Sequence, residues 1–279
     1  MSSHDLLQAL AIFAAGIAAG TINTVVGSGT LITFPTLLAF GYPPVVANVS
    51  NNIGLVPGVA SGVYGYRAEL TGQRRRMLRL GPASLLGGLV GAILLLVLPQ
   101  EAFKAIVPAL IAIALIMVVI QPRLAKWVAA RQAARRPAPV AATVGGPSSA
   151  AAGQQAAPSP AAAVGGPVLL VLVFLAGIYG GYFGAAQGVL LIGMLGIALN
   201  DGLQRINAVK NVLAGVVNGV AAIVFIVATH VDWGAAGLIA AGSIIGGQVG
   251  ARFGRRLPPW GLRVVIVCVG VAALVKLLA

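Results

Sequence analysis

The chain has 279 residues, 59% hydrophobic and 8% charged, with a mean hydropathy of +0.99. A soluble domain carries about a quarter charged residues, so a soluble globular fold is excluded and an all-α polytopic membrane protein with about 8–10 hydrophobic segments is expected. The net charge of +13 would suit a nucleic-acid binder, but 14 of the 18 Lys and Arg fall in 67–79, 123–136 and 252–263. Those clusters flank apolar segments, as cytoplasmic loops do, and are expected to meet anionic lipid rather than nucleic acid.

In chain order, helices are expected over 6–26, 44–66, 77–98 and 101–120, with a short apolar segment at 31–40. Pro99 and Pro122 are expected to end the last two of these helices. The N-terminal residues have no basic region and no A-x-A site, so they are expected to be retained rather than cleaved. Residues 133–166 are almost entirely Ala, Pro, Gly, Ser and Gln. Such a composition builds no core, and a disordered linker is expected. Its basic approach, 123–136, suits a helix on the membrane surface with Trp127 at the interface. The order then repeats over 168–186, 189–199, 202–229, 233–252 and 258–278, with Pro258 and Pro259 suited to a first helical turn. The division is therefore a first transmembrane repeat, 1–122, a basic then Ala/Pro/Gly-rich cytoplasmic linker, 123–166, and a second transmembrane repeat, 167–279.

The duplication is legible in residues 16–62 and 177–219. Both begin G-I-x-x-G, pass a Gly-rich break, run on through apolar residues and open a helix on an Asn pair, Asn48 and Asn52 in one copy, Asn207 and Asn211 in the other. Interrupted apolar segments at matching places in two halves mark a repeat-built transporter with its site where the breaks meet. Basic loop 67–79 places one connection inside, whereas the matching connection, 228–232, has no Lys or Arg and the next has three. Two inverted-topology repeats with broken or re-entrant helices follow, since five elements per half is odd. Segments 31–40 and 189–199 reach about 16 Å, roughly half the hydrocarbon thickness, so each must tilt or re-enter. Broken backbone at that depth is tolerated when buried in protein or lining a wet cavity.

The pattern G-x-G-x-L-I-T-x-P-x-L, formed by Gly27, Gly29, Leu31, Ile32, Thr33, Pro35 and Leu37, precedes Gly41, Pro43, Pro44, Ala47, Asn51 and Asn52. With G-G-x-F-G-A-x-x-G-x-L-L-I and R-x-N-A-V-K-N in the second half, it resembles the TauE/SafE sulfite-exporter family of bacterial membrane permeases. The likeness covers nearly the whole chain except the linker. It implies a multi-pass inner (plasma) membrane transporter, an exporter of small anions such as sulfite, sulfonates or related organic anions. Two departures stand out: Asn51 occupies a position where the family commonly has lysine, and the second Gly-rich run is here Ala185-Ala186-Gln187-Gly188.

Lys210 is the leading candidate for substrate binding. No carboxylate lies three or four residues from it, and an ammonium in a membrane helix is by default functional. Snorkelling beside Arg205 is the competing reading. Asn207, Asn211, Asn48 and Asn52 are candidate donors to anion oxygens and equally candidate bridges between helices. Asn23, Ser28, Thr30 and Gln187 lie at the breaks and complete the set. The carboxylates Asp5, Glu69, Glu101, Asp201 and Asp232 all fall near segment ends or in loops, so uniport-like or weakly coupled transport driven by the membrane potential is expected. Cys268 is the only cysteine, so no disulfide forms within the chain. Neither a metal site nor a cofactor is expected. An enzyme is disfavoured because H-E-x-x-H, G-x-S-x-G and paired intramembrane aspartates are missing. A structural or regulatory membrane subunit, an importer and a channel of the same fold stay open, as does assembly into a homo-oligomer.

Overall fold

The computed structural model describes residues 3–134, 166–199, 201–254 and 259–278, which form ten α-helices and no strand. In order they are α1 (Ser3–Val25), α2 (Thr30–Ala39), α3 (Pro44–Gly65), α4 (Arg74–Val97), α5 (Gln100–Ala134), α6 (Pro167–Tyr182), α7 (Gln187–Ala198), α8 (Leu203–Ala228), α9 (Trp233–Phe253) and α10 (Pro259–Leu278). Most of the Ala/Pro/Gly linker, including the expectation that it is disordered, lies outside the described residues.

Each boundary has a local cause. Leu98 is extended ahead of Pro99 and ends α4, as a residue before proline prefers. Pro122 does not end α5, contrary to the sequence expectation. A proline removes one backbone bond, and the residues after it, rich in Ala, Arg, Lys and Leu, are strong enough helix formers to carry the helix on. Two helix ends share one construction. At the end of α1 the N–H groups of Val26 and Gly27 both donate to Ile22 O, at 2.7 and 3.0 Å; at the end of α6 those of Phe183 and Gly184 both donate to Tyr179 O, at 3.0 and 3.1 Å. Gly27 (φ +87°) and Gly184 (φ +78°) take the left-handed conformation that the turn needs and that glycine adopts without a Cβ clash.

Five helices are long and apolar enough to cross a membrane: α1, α4, α5 over Gln100–Trp127, α8 and α9. The 22-residue α3 is not among them, because Asn48, Ser50, Asn51 and Asn52 interrupt its apolar sequence. Its polar stretch is buried instead. Outward-facing Leu7, Val97, Ile113, Val171 and Val227 are exposed, as a surface against hydrocarbon chains requires.

The packing interleaves the two halves. Helices α1 and α3 lie on α9, while α6 and α8 lie on α4. Gly54, Gly58 and Gly65 of α3 oppose Ile239, Ser243 and Ala251 of α9 in rising order, so these helices run parallel. The contact of α4 with α6 is so close that a Cβ on Gly87 would stand 2.2 Å from Phe174 O. Backbones meet here through small residues, the usual basis of helix association in lipid. Helices α3 and α8 run in opposite directions: Tyr66, just past α3, packs with Ala208 near the start of α8, while Ser50 Oγ near the start of α3 accepts from the N–H of Asp232, just past α8, at 3.0 Å.

Candidate functional site

The two breaks meet. The N–H of Gly188 donates to Gly27 O at 3.1 Å, and a Cβ on either glycine would lie 2.4 Å from the Cα of the other. The crossing brings the starts of α2 and α7 together at the centre. Neither start has a side-chain cap, with Gly29 and Ala186 at the capping positions. Both helices therefore aim positive dipole ends at the crossing.

Lys210 reaches this crossing from α8. Only 1% of its surface is exposed, so the snorkelling geometry is not adopted. Its stem lies against Gly188, where an added Cβ would stand 2.9 Å from Lys210 Cδ. Its Nζ donates to Asn23 O at 2.9 Å and to Thr24 O at 3.2 Å. The amides of Asn207 and Asn211 donate from Nδ2 to the same Thr24 O, at 3.1 and 3.3 Å. Positions 207, 210 and 211 share one helix face, which is why three donors converge on the last turn of α1. The carbonyls of a last turn have no partner within their own helix, and a cation there also meets the negative end of the dipole. Among the described residues Lys210 has no carboxylate partner.

The corresponding face of α3 is neutral. Asn48 Nδ2 donates to Tyr182 O, the last residue of α6, at 3.0 Å. Asn51 donates to Thr30 Oγ1 at 3.3 Å, and its Oδ1 accepts from the Thr33 hydroxyl. Of the residues singled out from the sequence, Lys210, Asn207, Asn211 and Asn23 thus form one cluster, the last through its backbone carbonyl. Thr30 joins Asn51, whereas Asn48 clamps the other break. Ser28, Asn52 and Gln187 are buried, and Ser28 Oγ, Asn52 Oδ1 and Gln187 Nε2 have no hydrogen-bond partner among the described residues; the same holds for Asn207 Oδ1. Buried polar atoms normally find a partner, so these four leave hydrogen-bonding capacity unused among the described residues.

Sequence reasoning missed Thr33 and the carbonyls of Thr24 and Tyr182, and saw Asn51 only as a departure from a pattern. Its register with Lys210, one residue before Asn52 as Lys210 is before Asn211, was the available signal. At one end of the bundle Asp201 accepts from Arg76 at 2.6 Å and from Arg205 at 3.1 Å. Gln73 Nε2 donates to Arg205 O at 3.2 Å, and Arg205 donates to Thr71 O at 3.2 Å. This network ties the 67–79 connection to the start of α8. Next to the second break Phe34 and Phe183 meet edge to face with centroids 5.3 Å apart, and Phe103 packs beside Phe183 at 6.4 Å, all three buried in the core. No group of three or more His, Cys, Asp or Glu able to hold a metal ion occurs among the described residues.

Comparison with known proteins matches residues 12–277 to the family described as "Sulfite exporter TauE/SafE". A protein of Sinorhizobium sp, "Probable membrane transporter protein ORF9", is 27% identical over 269 residues, covering 96% of this chain and 91% of that protein. No solved structure matches the chain.

Proposed function

Since the chain belongs to the sulfite exporter TauE/SafE family of membrane transporters, we propose that it carries small anions such as sulfite or sulfonates out across the inner membrane, binding them at Lys210. The observation that carries this reading is a buried ammonium whose hydrogen bonds, among the described residues, go to backbone carbonyls, at the crossing of two broken segments. A carboxylate partner would neutralise it; carbonyls leave its charge available to an anion. The dipole ends of α2 and α7 add to the attraction. Asn207 and Asn211 flank the ammonium and can release Thr24 O to donate to anion oxygens. Ser28, Gln187, Thr30, Asn23, Asn48 and Asn52 complete the lining of the path.

The reading includes two repeats of inverted topology. The opposed directions of α3 and α8, the matching ends of α1 and α6, and the reciprocal packing on α9 and α4 all support it. With loop 67–79 in the cytoplasm, an inside-negative potential favours exit of a monovalent anion by about 2.3 kcal/mol per 100 mV, so export needs no coupling ion. The test is flux of sulfite and sulfoacetate in proteoliposomes at a clamped potential, wild type beside Lys210→Ala. Potential-driven flux that the substitution abolishes in a still folded protein is the expected result. Unchanged flux would reduce Lys210 to a clamp on the end of α1, and no flux of any small anion would sink the transport reading.

A further inference from the structure

A cavity of about 270 Å³ opens at the end of the bundle that carries the 67–79 connection, beside the crossing but not part of it. Four of its lining residues come from three helices: Gln121 of α5, Gln204 and Asn207 of α8, and Arg263 of α10. Gln121 Oε1, Gln204 Oε1, Asn207 Oδ1 and Arg263 Nε are all buried, and none has a hydrogen-bond partner among the described residues. Gln121 is 7% exposed and Asn207 5%. Among the described residues no carboxylate lines the cavity and Arg263 is in no ion pair. The amide side chains of Gln121, Gln204 and Asn207 and the guanidinium of Arg263 give the cavity a polar lining with one cation.

We propose that this cavity is a second anion site, a vestibule in which Arg263 gathers a small oxyanion or sulfonate before it moves to Lys210. The proposal rests on the anion-transport reading and extends it to residues outside the crossing. The guanidinium supplies the charge and a planar donor set suited to oxyanions. The volume exceeds that of one small anion, since a water takes about 30 Å³, so the anion keeps part of its hydration shell. Asn207 joins the two sites: its Nδ2 is bound to Thr24 O beside Lys210, and the residue also lines the vestibule. It stands one helical turn before Lys210, on the same face of α8. Final dehydration then takes place at the crossing, where ammonium, amides and helix ends replace the remaining waters.

The test reads the vestibule without requiring transport. In full-length protein in lipid vesicles, with the exposed Cys268 replaced by Ser, the lining residue Ala125 is changed to Cys. Its reaction rates with an anionic, sulfonate-bearing methanethiosulfonate and with a cationic, ammonium-bearing one are then compared. With each rate taken relative to that reagent's rate with a free thiol in solution, the anionic reagent is expected to react faster by about tenfold, the low end of what a charged cleft produces. Arg263→Gln should bring the ratio close to one, Arg263→Lys should retain most of it, and hydroxyethanesulfonate should slow labelling only when residue 263 is cationic. No labelling by either reagent, or a ratio that Arg263→Gln leaves unchanged, would overturn the vestibule and make Arg263 an interfacial anchor. Charge-selective labelling in a protein with no sulfite or sulfoacetate flux would keep the site and sink the transport reading; flux without charge preference would do the reverse.

Discussion

Helices α3 and α8 occupy matching places in the two halves, yet they hold the crossing differently. Both insert an Asn pair four residues apart, and the first of each pair clamps the end of a helix from the other half: Asn48 on Tyr182 O, Asn207 on Thr24 O. Between them α3 has Asn51 bound to threonine hydroxyls, and α8 has Lys210 bound to carbonyls. One helix is neutral there; the other carries a charge at the matching position of its sequence. The two matching helices thus share the clamp and differ in the cation, and under the proposed function the crossing would offer one anion anchor rather than two that would repel each other.

The sharpest way to break the comparison is at the point the halves share. Gly188→Ala places a Cβ against Gly27 Cα and should cost about 3 kcal/mol or more, read as loss of monodisperse protein and of thermal stability. Next comes the asymmetry itself. Lys210→Met should cut anion flux about a hundredfold or more, whereas Asn51→Ala, which removes only neutral hydrogen bonds worth about 1 kcal/mol, should cut it no more than about tenfold; equal losses would erase the distinction. The two clamps should also differ. Asn48→Ala should cost about 1.5 kcal/mol and Asn207→Ala about 0.5 kcal/mol, because Thr24 O keeps two other donors; unfolding midpoints in detergent would show the order. Smallest is the network at the 67–79 end. Asp201 is partly exposed, at 23%, and Asp201→Asn should cost at most about 1 kcal/mol, an effect that shrinks in high salt.

Helix positions were legible because Gly, Pro and Asn punctuate the chain so sharply: Gly27, Gly41, Pro44 and Gly184 each stand at a boundary. The convergence of the breaks was legible from the duplication. Pro122 misled, because a single lost backbone bond is weaker than the helix-forming residues that follow. The partners of Lys210 could not be read, since a backbone carbonyl has no sequence signature. Nor could the vestibule: Gln121, Gln204 and Arg263 are far apart in the chain, and Arg263 belonged to a basic cluster that looked like a loop.

The interleaved packing has a consequence for movement. Helices α1 and α3 pack on α9, and α6 and α8 on α4, so each packed group includes a helix from the other half of the sequence; the groups touch along α3 and α8 and where Gly27 meets Gly188. Under the proposed transport function these groups, rather than the sequence halves, are the units that would tilt. A tilt about the Gly27–Gly188 contact would leave Lys210 nearly still while both ends of the bundle swing.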